Sequence, residues 1–152
     1  MKIASFQELI PVLQTAIGPF ILISGVGLLL LSMTNRLGRA IDRARVLGHN
    51  VPPLGDPARD GILAQLAILW RRARLLRLAI FLAASSALCA ALLIILLFLT
   101  ALLHLESSLW IIGLFITGMC CLLGSLVVFI HDLNQALAAL RLELHAHKIE
   151  TD

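Results

Sequence analysis

Three stretches of this chain are uncharged and predominantly apolar: Ala16 to Thr34, Leu78 to Leu103 and Leu109 to Ile130, and none holds an Asp, Glu, Lys, Arg or His. A helix needs roughly 20 apolar residues to cross a bilayer, so each stretch predicts a transmembrane helix. Beyond the stretches the apolar positions thin out to helical spacing. Leu37, Ala40, Ile41, Ala44 and Leu47 prolong the first stretch, while Ile62, Leu66, Leu69, Ala73 and Leu76 approach the second in steps of four and three. That is the spacing of a coiled-coil seam.

Between these arms lies GHNVPPLGDP, residues 48–57. Gly48 is a good helix stop, the prolines bar continuation, and Asp56 before Pro57 reads as an N-cap with proline at the first helical position. The expected fold is an all-α integral membrane protein with three transmembrane helices, the first two extended into a cytoplasmic antiparallel helical hairpin. Its segments are an outer amphipathic segment over 1–17, spans over 18–34, 78–103 and 109–130, the hairpin over 35–77, and an outer link over 104–108. A cytoplasmic helical tail over 131–152 completes the chain, with Leu133, Leu137, Leu140 and Leu144 repeating the seam pattern. Pro11 and Pro19 each remove an amide donor, so a break near Gly18-Pro19 is expected where the outer segment enters the first span.

Composition agrees with the pattern. Of 152 residues 60% are hydrophobic and 14% charged, with a mean hydropathy of +0.98, where soluble domains carry about a quarter charged residues. There is room for one membrane domain and short appendages. The charge is unevenly placed: residues 35–77 hold nine arginines, no lysine and three aspartates, a formal +6, although the whole chain is only +3. Basic residues in short flanking segments stay on the cytoplasmic side. The expected location is a bacterial inner membrane, multi-pass, with the N-terminus outside and the C-terminus cytoplasmic. A dense arginine tract where a signal peptide would be cut argues that the first stretch is a retained span.

The arginines are the candidate chemistry. Counted outward from the membrane edge on the two arms, Arg77 lies level with Arg36, Arg74 with Arg39, and Arg71 and Arg72 with Asp42 and Arg43. One reading makes Arg36, Arg39, Arg71, Arg72, Arg74 and Arg77 ligands for anionic lipid phosphate, with an Asp42–Arg71 salt bridge closing the hairpin. A second follows from the heptad spacing of Gly18, Gly25, Ser32 and Arg39, with Leu22, Leu29, Arg36 and Arg43 beside them. Small residues let membrane helices approach closely. Several copies around an axis would then line a pore and set Arg36, Arg39 and Arg43 in cationic rings at its inner mouth.

Other chemistry is thinly represented. His145 and His147 fall on different faces of a helix, His131 and Asp132 read as a polar anchor at the membrane boundary, and His104 and Glu106 sit in the outer link. No metal site or cofactor is expected, and Cys89, Cys120 and Cys121 read as small apolar residues. Neither a phosphate-binding glycine loop nor a nucleophile elbow nor an HExxH motif occurs, which argues against an enzyme. Spans without ionisable groups weigh against coupled transport, and a basic segment beside the bilayer with one aromatic, Trp70, disfavours nucleic acid.

The stretches TNRLGRAIDRAR at Thr34 to Arg45 and RRARLLRLAI at Arg71 to Ile80 resemble an uncharacterised bacterial three-span membrane-protein family, one of the domain-of-unknown-function families. The likeness runs from about Ile10 to Leu140. It implies an inner-membrane protein and supplies no activity. Two functional readings therefore stand: a homo-oligomeric, channel-like protein whose first helix lines a pore, and a structural or regulatory scaffold that binds anionic lipids or partner proteins through the arginine-rich hairpin.

Overall fold

The computed structural model describes residues 6–53, 56, 58–103 and 108–149, the side chains of 6–9, 12, 108 and 136–149 excepted. It holds three long helices: α1 Phe6–His49, α2 Ala58–Leu103 and α3 Ser108–Ile149. Each contains a segment long and apolar enough to cross a membrane, within Leu13–His49, Ala58–Leu103 and Leu109–Gln135. Residues 104–107 of the expected link over 104–108, and the side chains of the tail stripe Leu137, Leu140 and Leu144, lie outside the described residues.

α1 corrects one expectation. No break occurs at Gly18-Pro19, and the helix runs through both Pro11 and Pro19. Each proline deletes one backbone hydrogen bond, but a helix with apolar surroundings gains nothing by opening further amides, so interior proline is tolerated. The hydroxyls follow the same economy. Thr15, Ser24 and Thr117 each donate to the carbonyl four residues back, at 2.9, 3.3 and 2.8 Å, so these three exposed hydroxyls do not leave a hydrogen facing hydrocarbon.

The turn behaves as its residues dictate. α1 ends at His49, with the Asn50 amide donating to the Leu47 carbonyl at 3.2 Å. Asp56 caps α2: its Oδ1 accepts from the Ala58 amide at 2.9 Å, and its carbonyl accepts from the Arg59 amide at 3.1 Å. That places one acceptor on the otherwise unsatisfied first-turn donors. Arg59 donates in turn to the Pro52 carbonyl at 2.7 Å.

The chain divides into two compact units, Met1–Ser32 with Ile80–Ser125, and Met33–Ala79 with Leu126–Asp152. In the first, the interior is made of small side chains. Ala83, Ser86, Ala90 and Leu93 are buried on α2 at steps of three and four, with Ala16 and Val26 from α1 and Gly118 and Ser125 from α3. Gly118 marks a close approach of α3 to α2, since a Cβ there would stand 3.1 Å from the Cys89 Cβ. Phe20, Leu28, Phe81, Leu88 and Trp110 point outward instead, each more than half exposed. A unit that is apolar on its outside as well as its inside is built for lipid, where small-residue packing holds helices together.

In the second unit Met33 is fully buried on α1, as are Leu76 and Ala79 on α2. The seam residues Ile62, Leu66, Leu69 and Ala73 are half-buried. On α1, Leu37, Ala44 and Leu47 are half-buried as well, while Ile41 remains exposed.

Candidate functional site

One buried ion pair organises the second unit. Asp132 of α3 is completely buried, and its Oδ1 accepts from Arg72 Nε of α2 at 3.3 Å. The Arg72 side chain keeps a quarter of its surface, so the guanidinium bridges interior and exterior while the carboxylate sits wholly inside. Asp132 Oδ2 has no hydrogen-bond partner among the described residues. Nearby on α3, Phe129 lies beneath the Arg36 guanidinium of α1, 5.6 Å from ring centroid to Cζ, within cation–π range. Both contacts spend an arginine on α3, and His131, on the exposed side, meets Gln135 at 2.9 Å.

The sequence assigned these residues otherwise. Sequence pattern alone makes Asp132 a boundary anchor and Asp42 the partner of Arg71. No ion pair joins Asp42 to Arg71 among the described residues; both are exposed. The physical reason is depth. A carboxylate in solvent gains little from one more cation, whereas a buried carboxylate must have one. The signal was present in α3, where Gly118, Ser125 and Asp132 fall seven apart on one buried stripe, so Asp132 continues a packing face.

Arg36 and Arg72 are thus engaged inside the protein, while Arg39, Arg43, Arg71, Arg74 and Arg77 are exposed, with no carboxylate partner among the described residues. The α1 face proposed for a pore is also placed. Gly18, Gly25, Ser32 and Arg39 are exposed, and a Cβ built on Gly18 or Gly25 would meet nothing within 4 Å. Leu22 and Leu29 are half-buried. The face that α1 buries carries Val26 and Met33, one position along the helix and hence about 100° round it.

Two cavities complete the picture. A hollow of about 210 Å³ in the first unit is lined by Gly18, Leu22, Ser86, Cys89, Phe115 and Gly118, among others, and is largely apolar; the buried Ser86 hydroxyl in its wall has no hydrogen-bond partner among the described residues. A larger groove in the second unit, about 580 Å³, runs between α1 and α2 and is lined by apolar residues together with Arg74 and Arg77. Among the described residues no group of three His, Cys, Asp or Glu side chains is placed to hold a metal ion.

No curated protein and no solved structure matches the chain. A family model does match, over residues 16–142. That match takes in the Arg72–Asp132 pair, the arginines of residues 36–77 and both cavities, and the chain belongs to the family described as a protein of unknown function, DUF2721.

Proposed function

We propose that this membrane protein is a non-enzymatic scaffold of a bacterial inner membrane that binds anionic phospholipid through exposed arginines of its cytoplasmic hairpin. The observation that carries this reading is the belt Arg39, Arg43, Arg71, Arg74 and Arg77, exposed and without a carboxylate partner among the described residues, on helices that also hold membrane-crossing segments. Guanidinium groups bind phosphate through paired N–H donors, and each basic residue near an anionic surface contributes about 1 kcal/mol. Purified in mild detergent, the protein should retain phosphatidylglycerol over phosphatidylethanolamine. Arg39→Gln with Arg43→Gln and Arg71→Gln should lower that enrichment roughly tenfold or more. Retention that matches the bulk membrane in the unaltered protein would overturn the reading.

A second reading is self-association on α1. Its support is the exposed stripe Gly18, Gly25 and Ser32 with open space above both glycines, a surface on which another helix backbone can come close. Arg39 and Arg43 share the exposed side, so a ring of copies would bring them towards an axis, as a channel requires. Arg36 is less suited to line it, being held over Phe129. In a background lacking the native cysteines, Gly25→Cys and Ser32→Cys should form inter-copy disulfides in native membranes, and uncross-linked protein under mild oxidant would dismiss the ring.

A further inference from the structure

The groove in the second unit runs away from the membrane edge into water. On α2 its lining passes from Arg77 and Arg74 through Trp70 to Leu63, with Ile41 and Ala44 of α1 opposite. The uncharged stretch of α2 opens at Leu78, which sets the hydrocarbon edge at Arg77. The apolar lining therefore follows on the aqueous side of both arginines. From Arg77 to Leu63 the helix rises about 21 Å, whereas the headgroup layer on one side of a bilayer is only about 5–8 Å deep. Acyl chains do not reach most of the groove. Water is left to cover Leu63, Ile41 and Trp70, which are 42%, 44% and 68% exposed, and it covers them poorly.

Shape and charge choose the occupant. Arg72, which reaches Asp132 of α3, stands two residues from both Trp70 and Arg74, which puts it on nearly the opposite face of α2. α3 thus meets the hairpin on one side and the groove opens on the other. The groove is about four helical turns long, the length of one short helix, and an amphipathic helix seats in such a channel through apolar side chains at steps of three and four. At the membrane end Arg74 and Arg77 are exposed, with no carboxylate partner among the described residues. A carboxylate arriving there would accept paired N–H donors from a guanidinium. A second copy is less suited. Copies in one membrane share one orientation, so two facing grooves would bring Arg74 and Arg77 to their own counterparts at the same height, and like charges set against each other repel.

We infer that the groove is the docking site for one amphipathic helix of a different protein, its apolar face seated between Ile41 and Trp70 and its acidic, membrane-proximal end held by Arg74 and Arg77. This goes beyond the lipid-binding reading, whose other arginines, Arg39, Arg43 and Arg71, do not line the groove.

The chain has two tryptophans, so Trp110→Phe leaves Trp70 as the only indole. The full chain is placed in phosphatidylcholine nanodiscs and titrated with tryptophan-free synthetic helical peptides of about 14 residues, the length of the groove. Each peptide carries leucine at steps of three and four and a pair of glutamates or of lysines at one end or the other. Trp70 emission should change saturably with a glutamate peptide, at a Kd about tenfold or more below that of its lysine counterpart. Arg74→Gln with Arg77→Gln, which alters exposed side chains only, should erase that difference. Leu63→Ser keeps both arginines and should weaken the glutamate peptide about tenfold. Glutamate and lysine peptides that bind alike, or no saturable change with any peptide, overturns the site. So does binding indifferent to Leu63→Ser, since charge alone would then hold the peptide. An Ile41→Cys disulfide between copies in native membranes, in a background lacking the native cysteines, overturns it as well, because a second chain would then be the occupant. The nanodiscs hold no anionic lipid, so none of these outcomes bears on the retention of phosphatidylglycerol.

Discussion

Arg72 and Asp132 hold opposite charges at unequal depth, the carboxylate fully buried and the guanidinium side chain a quarter exposed. The two halves of the pair are therefore not equivalent. Taking away Arg72 strands a buried anion, one oxygen of which has no partner among the described residues. Taking away the charge of Asp132 leaves a cation that can turn towards solvent. Arg72→Met should therefore lower stability by about 3 kcal/mol or more, and Asp132→Asn by less. The double change Arg72→Met with Asp132→Leu should regain most of the loss, because an apolar pair of similar size has no desolvation to offset. Thermal unfolding midpoints in detergent, arranged as a double-mutant cycle, measure this, and equal losses from the two single changes would show that the difference in depth carries no weight.

At the scale of the helices, glycines separate close contact from open surface. A Cβ on Gly118 would stand 3.1 Å from the Cys89 Cβ and 3.8 Å from the Ser86 carbonyl, so α2 and α3 must part slightly to admit it. Gly118→Ala should cost about 1–3 kcal/mol, and Cys89→Gly in that background should restore part of it. Gly25→Ala meets nothing within 4 Å and gains helix propensity worth up to about 1 kcal/mol, so its monomer should be at least as stable as the parent. Midpoints in the same detergent decide both. The contrast also shows where sequence was informative. Apolar length and the cap at Asp56 are local properties, and the three helices and the α2 start follow from them. Which face of α1 packs inward is not local: Gly18, Gly25 and Ser32 form as regular a stripe as Val26 and Met33, and only the neighbours choose between them. α2 carries a small stripe of its own, Ala83, Ser86 and Ala90, and this is the one that packs inward; the α1 stripe differs in running on into arginines.

For the whole molecule, orientation decides whether lipid binding makes physical sense. Residues 35–77 carry nine arginines against three aspartates, and anionic lipid presents its negative surface potential on the cytoplasmic leaflet. In the proposed reading topogenic charge and lipid-binding charge are the same side chains, so the two roles stand together only if the turn around Asn50 faces the cytoplasm. In a background without native cysteines, Asn50→Cys should resist a membrane-impermeant maleimide in intact cells and react in inverted vesicles. Asn50 is exposed and just past the end of α1, so labelling reports the side of the membrane and not burial. Reaction in intact cells would place the arginines outside, and the belt would then lack the leaflet that attracts it. Glutamine at Arg39, Arg71 and Arg77 separates the roles further. These side chains are exposed, so their replacement should shift folding stability by no more than about 0.5 kcal/mol each, while retained phosphatidylglycerol falls and Asn50→Cys keeps its cytoplasmic reactivity through the arginines that remain.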